Sequence, residues 1–196
     1  MYAADFNYYR ARSVTEAGDL LAKYPGAKVL AGGHSLIPLL KLRLAVPPTV
    51  VDIGRISELR GISIDAGTIH IGSLTTHAEL AASAELRQHA AALAEAASQI
   101  GDPAVRNRGT IGGNVAHADP ASDLPTVLFA LGGRFNLTGP QGDRTVDATA
   151  FFHGIMTTAL GEHELLTTID IPVSPPGQGT AYAKFPHPAS RYAVIG

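Results

Sequence analysis

The sequence predicts an α+β fold in which a small parallel β-α-β unit comes first and an antiparallel sheet with helices follows. Two observations predict it. A strand, a glycine pair, a helix and a second strand follow one another within residues 28–53, and two hairpin patterns occur at 61–72 and 134–147. The 196 residues suffice for one sizeable core or two small subdomains.

The first unit begins with a helix whose start is marked by Ser13 and Glu16, which form a capping-box pattern. Pro25-Gly26 ends that helix. A parallel crossover of this kind places a ligand at the carboxyl ends of its strands. The predicted elements are a helix at 14–24, a strand at 28–31, a helix at 35–45 and a strand at 49–53.

The second unit alternates hairpins with helices, and a second capping box at Thr76 and Glu79 marks the start of one of these helices. A polar segment at 173–179 is typical of a linker. The predicted elements are a hairpin at 61–72 with a three-residue turn, helices at 86–100 and 124–131, a hairpin at 134–147 and a strand at 164–171.

Two glycine-rich segments, 31–35 and 109–114, are the strongest functional signal in the sequence. Adjacent glycines can adopt positive φ angles and leave backbone N–H groups uncovered. Successive bare N–H groups bind anions, and a following helix N-terminus adds positive partial charge. Two such segments suit a ligand with two linked phosphates. The glycines are adjacent, however, and so differ from the G-x-G-x-x-G fingerprint of dinucleotide-binding folds.

The composition argues against several other classes of protein. A net charge of −2 provides no basic surface for nucleic acid, and no apolar run is long enough to cross a bilayer. The absence of cysteine rules out disulfides and iron–sulfur ligation by this chain. The histidines are scattered, so no metal ligands are predicted. A cytoplasmic protein is the expectation.

The motifs A-G-G-H-S (31–35), followed by a leucine-rich helix, and T-I-G-G-N (110–114), followed by A-D-P-A-S-D (118–123), resemble the FAD-binding medium subunit of molybdenum hydroxylases. This family includes the medium subunits of carbon monoxide, aldehyde and xanthine dehydrogenases. The resemblance implies a PCMH-type FAD-binding fold of two subdomains, 1–56 and 57–177. Residues 178–196 are then expected to begin a C-terminal domain that normally continues further.

The resemblance also implies the cofactors and partners. This chain would carry FAD, a large partner subunit would carry molybdopterin, and a small partner subunit would carry [2Fe–2S] clusters. Electrons would pass from the clusters through FAD to an external acceptor, either quinone or NAD. The assembly is expected to be a dimer of heterotrimers in the cytoplasm, able to associate with the inner face of the membrane.

The family's cofactor-binding roles transfer to matching positions, and neither catalytic residues nor metal ligands are expected. Backbone N–H groups of both glycine segments, with the Ser35 and Thr110 hydroxyls, would bind the FAD pyrophosphate. Asp123 would accept a hydrogen bond from a sugar-chain hydroxyl, while Ile100 and Leu166 would contact the adenine. Lys184 and Tyr192 would approach the flavin. The pyrophosphate-binding residues are Ala31, Gly32, Gly33, His34, Ser35, Thr110, Ile111, Gly112, Gly113 and Asn114.

Several alternatives remain open from the sequence. The chain could be a stand-alone FAD-dependent oxidoreductase or a nucleotide-binding module without redox activity. His34 could act as a base rather than through its backbone, Lys184 could be a surface residue, and Tyr192 could belong to the core. Asp102, Arg106 and Arg108 are expected to brace the second glycine segment through ion pairs.

Overall fold

A computed structural model describes residues 2–196, so Met1, the first residue of the predicted first subdomain, lies outside the described residues. The architecture is α+β, as predicted. It combines a three-stranded sheet with a five-stranded sheet, and two short strand pairs accompany them.

The three-stranded sheet is parallel and has the strand order β1-β3-β2. Its first strand was not predicted. The second helix is shorter than predicted, because Arg43 takes a positive φ of 56° shortly after the helix ends. The elements of this unit are β1 (Asn7–Arg10), α1 (Val14–Lys23), β2 (Lys28–Leu30), α2 (Leu36–Lys41) and β3 (Thr49–Asp52).

The five-stranded sheet is antiparallel and has the order β4-β5-β10-β6-β7. A short 3₁₀ helix at Ser57–Leu59 leads into it. The first half of this unit contains β4 (Ile62–Asp65), β5 (Thr68–Gly72), α3 (His77–Ala82), α4 (Ala84–His89), α5 (Ala91–Ser98), α6 (Pro103–Arg106), α7 (Ile111–His117) and α8 (Asp123–Ala130).

The remaining elements complete this sheet and add the two short pairs, β8 with β9 and β11 with β12. They are β6 (Arg134–Gly139), β7 (Gly142–Asp147), α9 (Ala148–Phe151), β8 (Phe152–Gly154), β9 (Thr157–Thr158), β10 (Leu165–Pro172), β11 (Phe185–Pro186) and β12 (Ala193–Ile195).

Both predicted hairpins are present. The turn between β4 and β5 has two residues rather than three, since Ala66 and Gly67 both adopt positive φ angles of 45° and 78°. Two consecutive residues with positive φ give the backbone twist that matches a tight hairpin.

The predicted helix at 86–100 is instead divided between α4 and α5. Ala90 interrupts it with an extended φ of −152°. Ser83 is also extended, and its hydroxyl accepts a hydrogen bond from the Leu86 N–H, so α4 begins at a cap of its own. Alanine itself favours a helix at position 90, and tertiary packing overrides that preference.

The main core lies between the five-stranded sheet and helices α3, α5 and α8, with Phe135 and Leu93 fully buried. A second core packs α1 against β3 and also contains Leu74 and Leu165 from the second unit. The two units are therefore joined by shared apolar packing. The subdomain boundaries after residues 56 and 177 stay a prediction.

Residues 2–196 contain neither a membrane-spanning helix nor a cluster of metal-ligating side chains. No helix there combines the length and apolar character that a bilayer crossing requires. Nor do three histidine, aspartate or glutamate side chains come together there as a metal site would need.

Candidate functional site

The two glycine-rich segments meet and line one groove of about 960 Å³. The backbone of Gly32 lies directly against the Arg108 carbonyl and the Gly109 Cα, so a Cβ at position 32 would overlap the carbonyl oxygen. Gly32 is therefore required by the close approach of two backbones. This contact places both segments at the carboxyl end of β2.

The first segment presents unpaired backbone donors. Gly33 has a φ of +83°, which favours glycine. Among residues 2–196, no protein atom accepts a hydrogen bond from the N–H groups of Gly32, Gly33, His34 or Ser35. The Ser35 side chain likewise makes no capping bond to α2. This turn therefore has the bare N–H groups that an anion-binding concavity requires, and its binding of a phosphate stays a prediction.

The second segment differs from its prediction as a loop with free N–H groups. Thr110 is the N-cap of α7, so Ile111, Gly112, Gly113 and Asn114 form the first turn of a helix. Their N–H groups are already paired: Ile111 with the Thr75 carbonyl, Gly112 with the Ser73 carbonyl, and Gly113 and Asn114 with the Thr110 hydroxyl and carbonyl oxygens. These N–H groups are therefore not bare, contrary to the prediction from the sequence, and the contact of this segment with a cofactor stays a prediction.

The glycine at position 112 is explained by packing. A Cβ there would lie 2.5 Å from the Ser73 Cβ. This segment still offers the groove the Thr110 hydroxyl hydrogen and the Asn114 amide, whose Oδ1 accepts a hydrogen bond from Ser122 at 2.8 Å. The positive end of the α7 dipole adds to these donors.

Apolar side chains form part of the groove wall. Ile100 and Leu166 both line it, and their contact with an adenine stays a prediction. Leu74 and Leu165 extend this surface and belong to the core beneath α1. A planar ring in the groove would therefore lie on a wall supported by the protein interior.

A buried cluster of Asp123, Tyr182 and Lys184 borders the groove. The Tyr182 hydroxyl donates to Asp123 Oδ1 at 2.6 Å, and the Lys184 ammonium donates to Oδ2 at 2.9 Å. The side chains of Lys184 and Asp123 are only 3% and 6% exposed, so the alternative of a surface lysine is wrong. Both oxygens of Asp123, predicted to accept from the cofactor, already accept from this chain.

Tyr182 was not predicted as a site residue. Its pKa is raised by burial and by the adjacent Asp123 carboxylate, so its hydroxyl stays protonated. The sequence offered one signal, the i, i+2 spacing of Tyr182 and Lys184, which places both side chains on the same side of an extended segment.

Tyr192 lies at the open edge of the groove and is 53% exposed, which excludes the alternative of a core residue. Its predicted contact with a flavin stays a prediction. His34 also borders the groove, and its Nε2 lies 3.1 Å from the Ala104 carbonyl oxygen.

The predicted ion pairs of Asp102, Arg106 and Arg108 are wrong. Asp102 instead caps α6 by accepting from the Val105 N–H at 2.9 Å. Arg106 donates to the Ile100 and Gly101 carbonyls at 3.0 and 3.2 Å. Asp102 and Arg106 therefore brace the segment through hydrogen bonds to the backbone.

His77 is a second residue that the sequence did not single out. It is 3% exposed, packs against Gly109, and its Nδ1 has no partner among the described residues. Burial, together with the charges of His34 and Arg106, lowers its pKa from 6.5 to about 4. A neutral imidazole therefore supports the turn that contacts Gly32.

These features fit a flavin dinucleotide. The bare N–H groups at Gly33–Ser35 suit a pyrophosphate, the apolar wall suits an adenine, and the buried ion pair of Lys184 with Asp123 borders the same groove. Residues 4–174 match the family described as the FAD binding domain in molybdopterin dehydrogenase. The chain belongs to this family.

Individual proteins with similar sequences support this family assignment. The carbon monoxide dehydrogenase medium chain of Hydrogenophaga pseudoflava is 45% identical over 192 residues, covering 97% of this chain and 67% of the relative. The glyceraldehyde dehydrogenase medium chain of Sulfolobus acidocaldarius is 40% identical over 194 residues, covering 99% and 69%. This FAD-binding chain thus spans roughly two thirds of the relatives it matches.

The fold agrees as well. A solved structure of the carbon monoxide dehydrogenase from Hydrogenophaga pseudoflava, lacking the Mo-pyranopterin moiety of the molybdenum cofactor, matches with a TM-score of 0.95. The match has 45% identity and covers 98% of this chain and 68% of the other. The predicted PCMH-type fold is therefore confirmed, and the chain is an FAD-binding medium subunit of the molybdenum hydroxylase type, an oxidoreductase component.

Proposed function

We propose that this subunit binds FAD in the groove between the two glycine segments and passes electrons from [2Fe–2S] clusters of a partner to an external acceptor. The contact of Gly32 with Arg108 and Gly109 carries this proposal. It brings segments that are about 80 residues apart in the sequence to one groove, as a ligand with two linked phosphates requires.

The chain's own contribution is binding and orientation. The N–H groups of Gly33, His34 and Ser35 donate to the pyrophosphate, and the Thr110 hydroxyl adds a donor from the other side. The paired N–H groups of α7 contribute through the helix dipole. When bound, FAD supplies reversible redox chemistry that no side chain of the protein can provide.

Lys184 and Tyr192 act on the flavin end of the groove. A positive charge near a reduced flavin stabilises its negative charge and raises its reduction potential. Lys184 provides that charge from a buried position. Tyr192, at the exposed edge, limits the access of solvent and acceptor, and stacking of its ring contributes about 1 kcal/mol.

The assembly forms part of the same proposal. The relatives are named as medium chains of dehydrogenases, which supports a large molybdopterin subunit and a small iron–sulfur subunit as partners. We place them in a dimer of heterotrimers in the cytoplasm. The relatives' names cover carbon monoxide and glyceraldehyde, so the substrate is set by the partner that carries molybdenum.

The first test is a titration of the purified chain with FAD, FMN and ADP. FAD should bind at least about tenfold more tightly than FMN, because FMN lacks the pyrophosphate. ADP should compete with FAD, because it shares the pyrophosphate and the adenine. Equal affinity for FAD and FMN would contradict the pyrophosphate site.

Reduction of the bound flavin distinguishes an electron-transfer subunit from a nucleotide-binding module and from a stand-alone oxidoreductase. Bleaching of the flavin absorbance by dithionite, with recovery on adding quinone, is expected of an electron-transfer subunit. A cofactor that resists reduction would favour a nucleotide-binding module. Turnover of a small organic substrate by this chain alone would favour a stand-alone oxidoreductase.

A further inference from the structure

We propose that Tyr182 is the residue that positions Lys184 at the groove, by holding the Asp123 carboxylate and docking the segment 180–184 on α5. The part of this inference that concerns FAD rests on the proposed function. The part that concerns the position of Lys184 rests on the contacts of this chain alone.

The segment 180–184 lies along one face of α5. The Thr180 hydroxyl accepts from the Ala92 N–H at 3.2 Å, and the Tyr182 N–H donates to Glu95 Oε2 at 2.7 Å. Lys184 Nζ lies 3.4 Å from the Gln99 carbonyl oxygen. Alternate residues of an extended segment thus contact positions spaced by three and four along a helix, which share one face.

The burial pattern of the segment agrees with this docking. Residues 180, 182 and 184 are partly buried, whereas 181 and 183 are exposed. We call residues 180–184 the strap. Tyr182, at its centre, and Lys184, at its end, both reach from the strap to α8, where Asp123 lies in the first turn.

The hydroxyl of Tyr182 matters because of what Asp123 does for Lys184. A buried ion pair offsets the cost of removing its charges from water only if its geometry is good and further hydrogen bonds satisfy its remaining atoms. The Tyr182 hydroxyl donates to Asp123 Oδ1 and so fixes the orientation of the carboxylate. Oδ2 is then placed to accept from Lys184. Hydrogen bonds to a charged acceptor are among the strongest in proteins.

The consequence concerns the groove. Asp123 and Lys184 both line it, whereas Tyr182 does not. Tyr182 therefore acts through the other two, as a positioning residue. Without its hydroxyl, Asp123 can rotate and the ammonium can leave its buried position for solvent.

Amine acylation followed by mass spectrometry tests the position of Lys184 without any cofactor. The chain has four lysines, and Lys23, Lys28 and Lys41 are exposed, so they serve as internal references. Lys184 should be protected in the wild type and react about tenfold faster in Tyr182→Phe, as expected from loss of one hydrogen bond to a charged group.

Two further variants show whether a change in the acylation of Lys184, the footprint, is specific to the Tyr182 hydroxyl. Tyr2→Phe removes the hydroxyl of a tyrosine that is 88% exposed and should leave the reactivity of Lys184 unchanged. Thr180→Val removes another anchor of the strap and should raise that reactivity less than Tyr182→Phe. An unchanged footprint in Tyr182→Phe, or an equal effect of Thr180→Val, would overturn the specific role of Tyr182.

A double-mutant cycle tests the link to FAD. If Tyr182 acts through Lys184, then Tyr182→Phe and Lys184→Met each weaken FAD binding, and the double variant binds no more weakly than Lys184→Met alone. Additive effects would overturn the inference. Failure of the wild type to bind FAD would instead overturn the proposed function, while the footprint would still decide the role of Tyr182.

Discussion

At the scale of single residues, the glycines of the groove differ in what they do. Gly32 allows two backbones to touch, Gly33 adopts a positive φ, and Gly112 makes room for Ser73. The sequence alone does not distinguish these three roles, because a pair of glycines looks the same whether it allows close contact or a positive φ. Replacing a glycine with alanine tests whether the close contact at that position matters.

Gly32→Ala is expected to lower the free energy of unfolding by about 2 kcal/mol, because the new Cβ overlaps the Arg108 carbonyl and the backbones must move apart. The same movement should weaken FAD binding by at least about tenfold. Urea denaturation and FAD titration measure the two effects.

Gly18→Ala is the matched control. Gly18 lies within α1, and nothing lies within 4 Å of the position a Cβ would take. This substitution should stabilise the protein by about 1 kcal/mol through helix propensity and leave FAD binding unchanged. Similar behaviour of the two variants would show that the contact at Gly32 has no special role.

The buried His77 should make the free energy of unfolding depend on pH. Its pKa is about 4 in the folded protein and 6.5 when unfolded, so the unfolded state binds more protons between these values. Stability therefore falls as the pH falls from 6.5 towards 4, and this residue accounts for roughly 3 kcal/mol of the loss. His77→Asn should flatten that part of the stability profile.

Urea denaturation at several pH values checks this prediction. His153→Asn is the control, since His153 is exposed and should leave the slope as it is in the wild type. An unchanged acid slope in His77→Asn would show that His77 does not titrate as its burial predicts.

At the scale of elements, two helices near the start of the chain use a serine at the N-cap in different ways. Ser13 accepts a hydrogen bond from the Glu16 N–H and so caps α1. Ser35 precedes α2 but makes no capping bond, and its hydroxyl is free to meet a ligand. One cap supports the fold and the other borders the groove.

These two serines give a paired prediction. Ser13→Ala should cost about 1 kcal/mol of stability, as the loss of a cap does, with no effect on FAD. Ser35→Ala should change stability by less than about 0.5 kcal/mol but weaken FAD binding severalfold. Thermal unfolding with and without FAD measures the effects on stability and on FAD binding. A large loss of stability in Ser35→Ala, with FAD binding unchanged, would refute the account of α2.

The helix starts at Ser13 and Thr76 could be predicted because capping is local chemistry between residues three apart. The break at Ala90 could not, because alanine favours helix and only packing against the core decides the interruption. The helical first turn of α7 was also beyond sequence reasoning, since Gly112-Gly113 is typical of a loop.

At the scale of the whole molecule, the groove joins two units that share a core. Leu74 and Leu165 from the second unit pack beneath α1 of the first and also line the groove. A ligand between the units would therefore bind to a surface that is already rigid. Because FAD would bind only the folded state, it should raise the unfolding temperature in proportion to the logarithm of its concentration.

The element pattern predicted the α+β class, and the resemblance to a family pointed to Ile100 and Leu166, which both line the groove. The pairing of β1 with β3 was missed, because β1 lies about 40 positions before its partner and was not itself predicted as a strand. The contact of Tyr182 with Asp123 was missed for the same reason, since 59 residues separate them. Long-range contacts of this kind depend on the tertiary fold.

The central claim is that the N–H groups of the first glycine segment bind the FAD pyrophosphate, whereas those of α7 are already committed to the protein. An amide NMR titration with FAD tests it most directly, since each N–H is observed separately. The account predicts the largest shifts and new protection from hydrogen exchange at Gly33, His34 and Ser35. The amides of Gly112 and Gly113 are already hydrogen-bonded within the protein, so their exchange rates should not change when FAD binds. Unchanged amides at 33–35 in the presence of bound FAD would contradict the account.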